Sequence, residues 1–295
     1  MKGEGICSGL LARVKTPAGP AVGRDDPRGQ SHVLKEEDAV EQGIRLDNLT
    51  YSVDSRKILE EVNLYVAKGV NRTILGASGV GKTTILKLML GLLKPDSGSV
   101  SIDGHRIDGL SEADLIKVRS RIAIVFQGGA LFDSMTVGEN VGYRLLEEGR
   151  PEDDVERVVR EKLSFVGLED TIDRYPAQLS GGMKKRAAIA RALASEPDYI
   201  FFDEPTTGLD PIGVYNICHV IRWLQAQGVT ALIVTHDLET AFTISDRFSF
   251  IHKARMVFEG TREEMLGSEL PSIREFLQPT DDSLFTVNRN SGNGM

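Results

Sequence analysis

Gly76-Ala77-Ser78-Gly79-Val80-Gly81-Lys82-Thr83 fits the pattern G-x-x-x-x-G-K-T. Residues 70–75 before it read as a buried strand, and residues 82–92 after it read as a helix. Glycines let a backbone wrap closely round a phosphate, so that successive N–H groups point at it. The helix start adds positive potential. Lys82 brings a full charge to the outer phosphates, and the Thr83 hydroxyl is a magnesium ligand. The cradle therefore runs from Gly76 and Ala77 through Ser78, Gly79, Val80, Gly81, Lys82 and Thr83 to Thr84.

Outward from that loop the pattern keeps alternating. Ile44, Leu46, Leu49 and Tyr51 open one strand, and Val62, Leu64 and Val66 alternate as another. Further strands are expected at 100–103, 122–126, 199–202, 231–234, 247–251 and 256–259. Helices are expected at 137–148, 152–165, 181–195, 212–227 and 238–244, with two more near Arg262 and Ser272. Continuous apolar strands alternating with helices mean an α/β fold, a mostly parallel sheet covered on both faces. The N-terminal strands are expected to be antiparallel, and residues 128–178 read as an inserted helical subdomain. Residues 1–42 carry many glycines and no sustained period, so they read as a tail, as do 279–295. The organised domain is thus 43–278.

Composition narrows the partners. The 295 residues are 41% hydrophobic and 26% charged, which leaves ample material for a core. A net charge of -8 disfavours a nucleic-acid partner. Cys7 and Cys218 are the two cysteines, too few for a disulfide framework or a metal cluster. No apolar run reaches the roughly 18 residues of a membrane span. Residues 6–12 are too short and interrupted for a signal peptide, and Glu4, Asp25 and Asp26 argue against a transit peptide. Any membrane role must come through a partner or through adsorption.

Tyr199-Ile200-Phe201-Phe202-Asp203-Glu204 places two acids at the end of an apolar strand. Ligands of open α/β sheets bind at such strand ends. There Asp203 can hold Mg²⁺, and Glu204 can polarise a water for attack on a γ-phosphate.

Leu179-Ser180-Gly181-Gly182-Met183 then opens a helix, 23 residues before Asp203 counting from Ser180, with Lys184, Lys185, Arg186 and Arg191 following. A Ser hydroxyl and unobstructed Gly amides again suit a phosphate. This run, with the two motifs above, resembles the ABC (ATP-binding cassette) ATPases over roughly residues 44–265. The resemblance implies a P-loop NTPase of ABC type that binds ATP and Mg²⁺. It implies that Ser180, Gly181 and Gly182 face the nucleotide of a second copy, so that two ATPs are sandwiched in a homodimer. It adds Tyr51, 25 residues before Gly76, as the aromatic that stacks on adenine. Gln127 becomes a sensor of the metal and the attacking water, Asp210 part of the loop joining the two sites, and His236 the contact to the γ-phosphate.

Met183 stands where most ABC ATPases have glutamine. Leu-Ser-Gly-Gly-Met, and the run from Gln127 to Val141, are similar to the ATPase subunits of MCE-type lipid transporters, including the Mla system of outer-membrane lipid asymmetry. That branch implies a peripheral subunit on the cytoplasmic side of the inner membrane, bound to an integral permease. It further implies a periplasmic MCE lipid-binding protein and a small accessory subunit. Ala130, Leu131, Phe132, Met135 and Val137 are the expected apolar docking surface for the permease. Two other readings remain open here: a transporter of another cargo, and a cell-division type complex that transports nothing. A chromosome or repair ATPase is disfavoured by the lack of sustained heptads and Cys pairs, and a translation factor by the single phosphate loop.

Overall fold

The computed structural model describes residues 42–277. The expected tails, 1–42 and 279–295, lie outside that range apart from Gln42. A six-stranded sheet forms the centre, in the order β10-β9-β3-β8-β7-β6. Its strands are β3 (Arg72–Leu75), β6 (Ile122–Val125), β7 (Tyr199–Asp203), β8 (Thr230–Thr235), β9 (Arg247–His252) and β10 (Arg255–Gly260). All neighbours are parallel except the β9/β10 hairpin at one edge. A second sheet, β2-β1-β4-β5, is antiparallel throughout. It comprises β1 (Gly43–Val53), β2 (Arg56–Ala67), β4 (Ser97–Ile102) and the short β5 (His105–Arg106).

The strand alternation explains the layering. In β7, Tyr199 and Phe201 face a core shared with the antiparallel sheet and helix α1 (Lys82–Met89), while Ile200 and Phe202 face the opposite core. In β8, Leu232 and Val234 join the first core, and Ala231 and Ile233 the second. Both faces are dry, which is why these strands read as unbroken apolar runs. Each fully buried aromatic here contributes roughly 3 kcal/mol of apolar transfer.

The second core also holds α3 (Val137–Glu147), α4 (Glu152–Phe165), α5 (Gly181–Ala194) and α6 (Pro211–Ala226). Thr136 caps α3 through a reciprocal pair with Glu139, and Asp210 caps α6 by accepting from Gly213 N at 2.7 Å. A third cluster packs Phe248 and Phe250 against α7 (Leu238–Ile244), α8 (Arg262–Leu266) and α9 (Pro271–Leu277).

Three differences from the sequence expectation have plain causes. Helix α1 stops at Met89 rather than near residue 92, because Gly91 turns into the left-handed region at φ +63°. The expected strand at 70–75 begins only at Arg72, because the Val70 N–H turns back to the Ala67 carbonyl at 3.3 Å. Helix α2 (Glu112–Arg119) is an addition: only its Leu115 is buried, so no apolar period announces it. Its signal is the Ser111 cap, which accepts from Asp114 N.

Candidate functional site

The parallel strands bring three chain segments level at their carboxyl ends. Leu75 pairs with Thr235, and Asp203 with Val234. The phosphate loop, the Asp203-Glu204 pair and His236 therefore converge on one edge, and they line a cleft of about 430 Å³. Gly79 and Gly81 take φ values of +74° and +109°, which an L side chain rarely adopts. Gly76 is fixed by crowding, since a Cβ there would lie 2.6 Å from the Ile251 carbonyl oxygen. Helix α1 has no side-chain cap at Gly81, so its first N–H groups face the cleft unobstructed.

Lys82 is buried. Its Nζ donates to the carbonyls of Gly76 at 2.8 Å and Ala77 at 3.1 Å, and lies 3.5 Å from Glu204 Oε1. Burial pulls the ammonium below its ordinary value, opposed by the neighbouring carboxylates. Thr83 Oγ1 donates to both Asp203 oxygens, at 3.1 and 3.0 Å. Burial pushes the Asp203 carboxyl up, and the negative charge of Glu204 adds to that while Thr83 opposes it.

Glu204 is the most constrained residue of the cleft. Its backbone sits at φ +49°, left-handed for a non-glycine residue. Its N–H donates to the Val234 carbonyl at 2.9 Å. Oε2 accepts from Thr235 Oγ1 at 3.0 Å and Thr207 Oγ1 at 3.2 Å, and Oε1 lies 2.9 Å from His236 Nδ1. Burial would raise this carboxyl, but hydrogen bonds from His236 and Thr235, with Lys82 nearby, outweigh it and hold it below the usual carboxylate range. The side chain is thereby fixed with its carboxylate oxygens turned to Thr207, Thr235, His236 and Lys82.

Gln127 and Thr84 also line the cleft. Tyr51 does not: it is half-buried against the core beneath the antiparallel sheet, and Val53 and Ile58 border the cleft there instead. Ser180, Gly181, Gly182 and Asp210 lie outside the cleft as well. Ser180 caps α5, accepting from Met183 N at 3.3 Å. A Cβ on Gly181 would meet nothing within 4 Å, and one on Gly182 only Leu209 Cδ2 at 3.7 Å. Packing within the chain therefore does not require glycine at either position. Met183 is half-buried and packs against the second core.

The residues missed by sequence reasoning are Thr207, Thr235 and Lys185. The two threonines orient Glu204 and had only their positions at strand and turn ends as a signal. Lys185 was visible only as one cation in a basic run. The expected docking surface also needs correction. Val137 is fully buried in the second core and Leu131 packs against it, whereas Phe132 is exposed and lies 5.1 Å, centroid to centroid, from Tyr143 of α3. The loop is braced by Asn140, whose side chain accepts from Phe132 N at 2.7 Å and donates to the Phe132 carbonyl at 3.0 Å.

Residues 59–207 match the ABC transporter family. The chain belongs to that family. It is 41% identical over 81% of its length to the intermembrane phospholipid transport system ATP-binding protein MlaF of Haemophilus influenzae, covering 91% of that protein. It is 39% identical over 79% of its length to the probable ribonucleotide transport ATP-binding protein mkl of Mycobacterium tuberculosis, covering 66% of that longer chain. Among solved structures, a dimeric post-hydrolysis state of the ATP-binding cassette MJ0796, bound to ADP and Pi, superposes with a TM-score of 0.69 at 32% identity, covering 74% of this chain and 98% of that one. The parallel core, the antiparallel sheet and the helices α3–α5 are thus an ABC cassette. No helix among the described residues is long and apolar enough to cross a membrane.

Proposed function

We propose that this cassette hydrolyses ATP to energise a membrane transporter of phospholipid. The observation that carries the enzymatic part is the placement of the Glu204 carboxylate, held by Thr207, Thr235 and His236 beside the buried Lys82. In this reading Lys82 and the N–H groups from Gly79 to Thr83 bind and orient the phosphates. Glu204 accepts the proton of the attacking water. His236 fixes the carboxylate and faces the outer phosphate, and Gln127, which also lines the cleft, senses the metal and the attacking water. Thr83 and Asp203 present hard oxygen donors side by side, which suits Mg²⁺. Bound there, the metal would supply charge neutralisation of the β and γ oxygens. Tyr51, two residues before the cleft-lining Val53 in β1, is the aromatic that would stack on adenine.

The functional unit is a homodimer. Ser180, Gly181, Gly182 and Asp210 sit outside the chain's own cleft, and the two open glycines leave room for a phosphate group carried by a second copy. The dimeric assembly of the MJ0796 cassette supports this arrangement. The domain is taken as 43–278, with 128–178 and the signature helix α5 forming the helical subdomain.

The cargo reading rests on the resemblance to the Haemophilus phospholipid-transport protein. In this reading the subunit works on the cytoplasmic side of the inner membrane, against a permease, with an MCE lipid-binding protein and a small accessory subunit beyond. Phe132 and Tyr143 offer the permease an exposed aromatic contact. The mycobacterial relative's name favours a second cargo, ribonucleotide. Co-purifying the permease and reconstituting the complex in vesicles tests both. ATP-dependent transfer of labelled phospholipid is expected; ribonucleotide uptake with phospholipid left in place would overturn the lipid cargo.

A further inference from the structure

Beneath the Glu204 turn lies a buried cation that the mechanism above does not use. Lys185, on the inner face of α5, is 6% exposed. Its Nζ donates to the Thr207 carbonyl at 2.6 Å and to the Glu204 carbonyl at 3.3 Å. No acidic side chain forms an ion pair with it among the described residues. A buried ammonium without a paired carboxylate is costly, and dipoles aimed at it must offset the lost hydration. Here both dipoles come from one four-residue turn, 204–207.

That turn needs holding. Glu204 is in the left-handed region at φ +49°, and its N–H is already fixed by the Val234 carbonyl. Lys185 takes the carbonyl on the other side of the same residue. The backbone of Glu204 is thus gripped at both ends, and only the side chain is left to be aimed by Thr207, Thr235 and His236. The same helix repeats the device further along. Arg191 donates to the carbonyl of Ala130 at 2.7 Å and of Gly129 at 3.0 Å, and Ala130 is another left-handed non-glycine, at φ +47°. Two strained residues in two different loops each have a carbonyl held by a cation of α5.

We propose that Lys185 is a positioning residue for Glu204: it locks the 204–207 turn to helix α5 and so sets the carboxylate's place. The inference rests on Glu204 being the proton acceptor. It also gives α5 a second duty, because Ser180, its cap, lies five residues away, about 7.5 Å along the helix axis. Any shift of the α5 start is then felt directly at the Glu204 backbone.

The test compares Lys185→Met, which keeps the length and apolar stem, with Lys185→Arg, both in the full chain. Turnover, KM for Mg-ATP, equilibrium Mg-ATP binding and thermal unfolding are measured together. A misplaced catalytic group costs about 100-fold for an ångström of error. Lys185→Met is therefore expected to lower kcat by about 10- to 100-fold while KM and binding stay within about threefold. Lys185→Arg, which can reach the same two carbonyls, is expected to recover most of kcat. If Lys185→Met fails to fold, the Arg variant and Lys185→Gln carry the comparison, with Gln expected to lose kcat and Arg to keep it. A folded Lys185→Met or Lys185→Gln chain with normal kcat overturns the proposal, as does a loss confined to KM and binding, or failure of Arg to restore kcat. A parallel Glu204→Gln chain separates the two ideas. If Glu204→Gln turns over normally, the proton-acceptor assignment itself fails. If it is inactive while Lys185→Met is normal, only the positioning role does.

Discussion

Two helices of this chain begin in a way that suits a phosphate, and they are built differently. Helix α1 starts at Gly81, buried and crowded by Ile58 and Leu59, with Thr83 tied to Asp203 and Lys82 to Glu204 around it. Helix α5 starts at Ser180 on the surface, with no protein atom near the place of a Gly181 side chain. The first start is a finished site within one chain. The second has the geometry of a site and none of the partners. Backbone donors at a helix start are valuable only when an acceptor meets them, so on the proposed dimer reading the acceptor at the second start comes from outside the chain.

The largest expected effect sits at the finished site. Glu204→Gln keeps the shape of the side chain and removes its basicity, so turnover should fall about 10²- to 10⁴-fold. Mg-ATP binding should persist, and light scattering should find a trapped dimer at saturating Mg-ATP. A monomer under those conditions, with and without the permease, would break the comparison at its root. Lys82→Ala comes next. It deletes the cation of the phosphate loop and leaves Glu204 without that partner, and it should weaken Mg-ATP binding by about 100-fold, roughly 3 kcal/mol. Equilibrium titration with a fluorescent nucleotide measures this directly.

A pair of alanine substitutions then contrasts the two helix starts. Gly76→Ala forces a methyl against the Ile251 carbonyl and should destabilise the fold by about 1–3 kcal/mol. Gly181→Ala meets open space at a helical position and should leave the melting temperature unchanged or slightly raised. In return, ATP-driven dimer formation should weaken. A Gly181→Ala chain that dimerises as the parent does would show that the open face is not used. The smallest effect on the isolated chain is expected for Phe132→Asp, at an exposed aromatic. Its unfolding free energy should change by less than about 1 kcal/mol. Permease affinity should drop, measured by pull-down of the reconstituted complex, because a charge would sit where an apolar contact is needed.

Legibility followed the range of the forces involved. The phosphate loop, the Asp203-Glu204 pair and the signature are local: backbone conformation and short-range chemistry demand fixed residues at fixed spacing, so sequence displays them. The residues that orient Glu204 come from three separate elements, Thr207 after β7, Thr235 at the end of β8 and Lys185 on α5. Nothing local requires a threonine or lysine at those positions, and only the parallel register that sets Asp203 beside Val234 makes them neighbours. Helix α2 stayed hidden because a surface helix with one buried residue carries no period. Val137 was read as surface because an apolar residue looks alike whether it docks a partner or fills a core.

Sequence by itself determined an α/β fold with one phosphate loop, an acid pair at a strand end and a second phosphate-type helix start. Those follow from glycine's backbone freedom, from strand alternation and from charge placed at helix termini, all of which act over a few residues. Tertiary structure alone decided that the Glu204 carboxylate is held by His236 and Thr235, that Lys185 lies beneath its turn, that Val53 and Ile58 border the cleft while Tyr51 packs against the core, and that Phe132 is exposed while Val137 is buried. Burial and hydrogen-bond partnership depend on which distant segments the sheet register brings together, and one-dimensional order does not encode that distance.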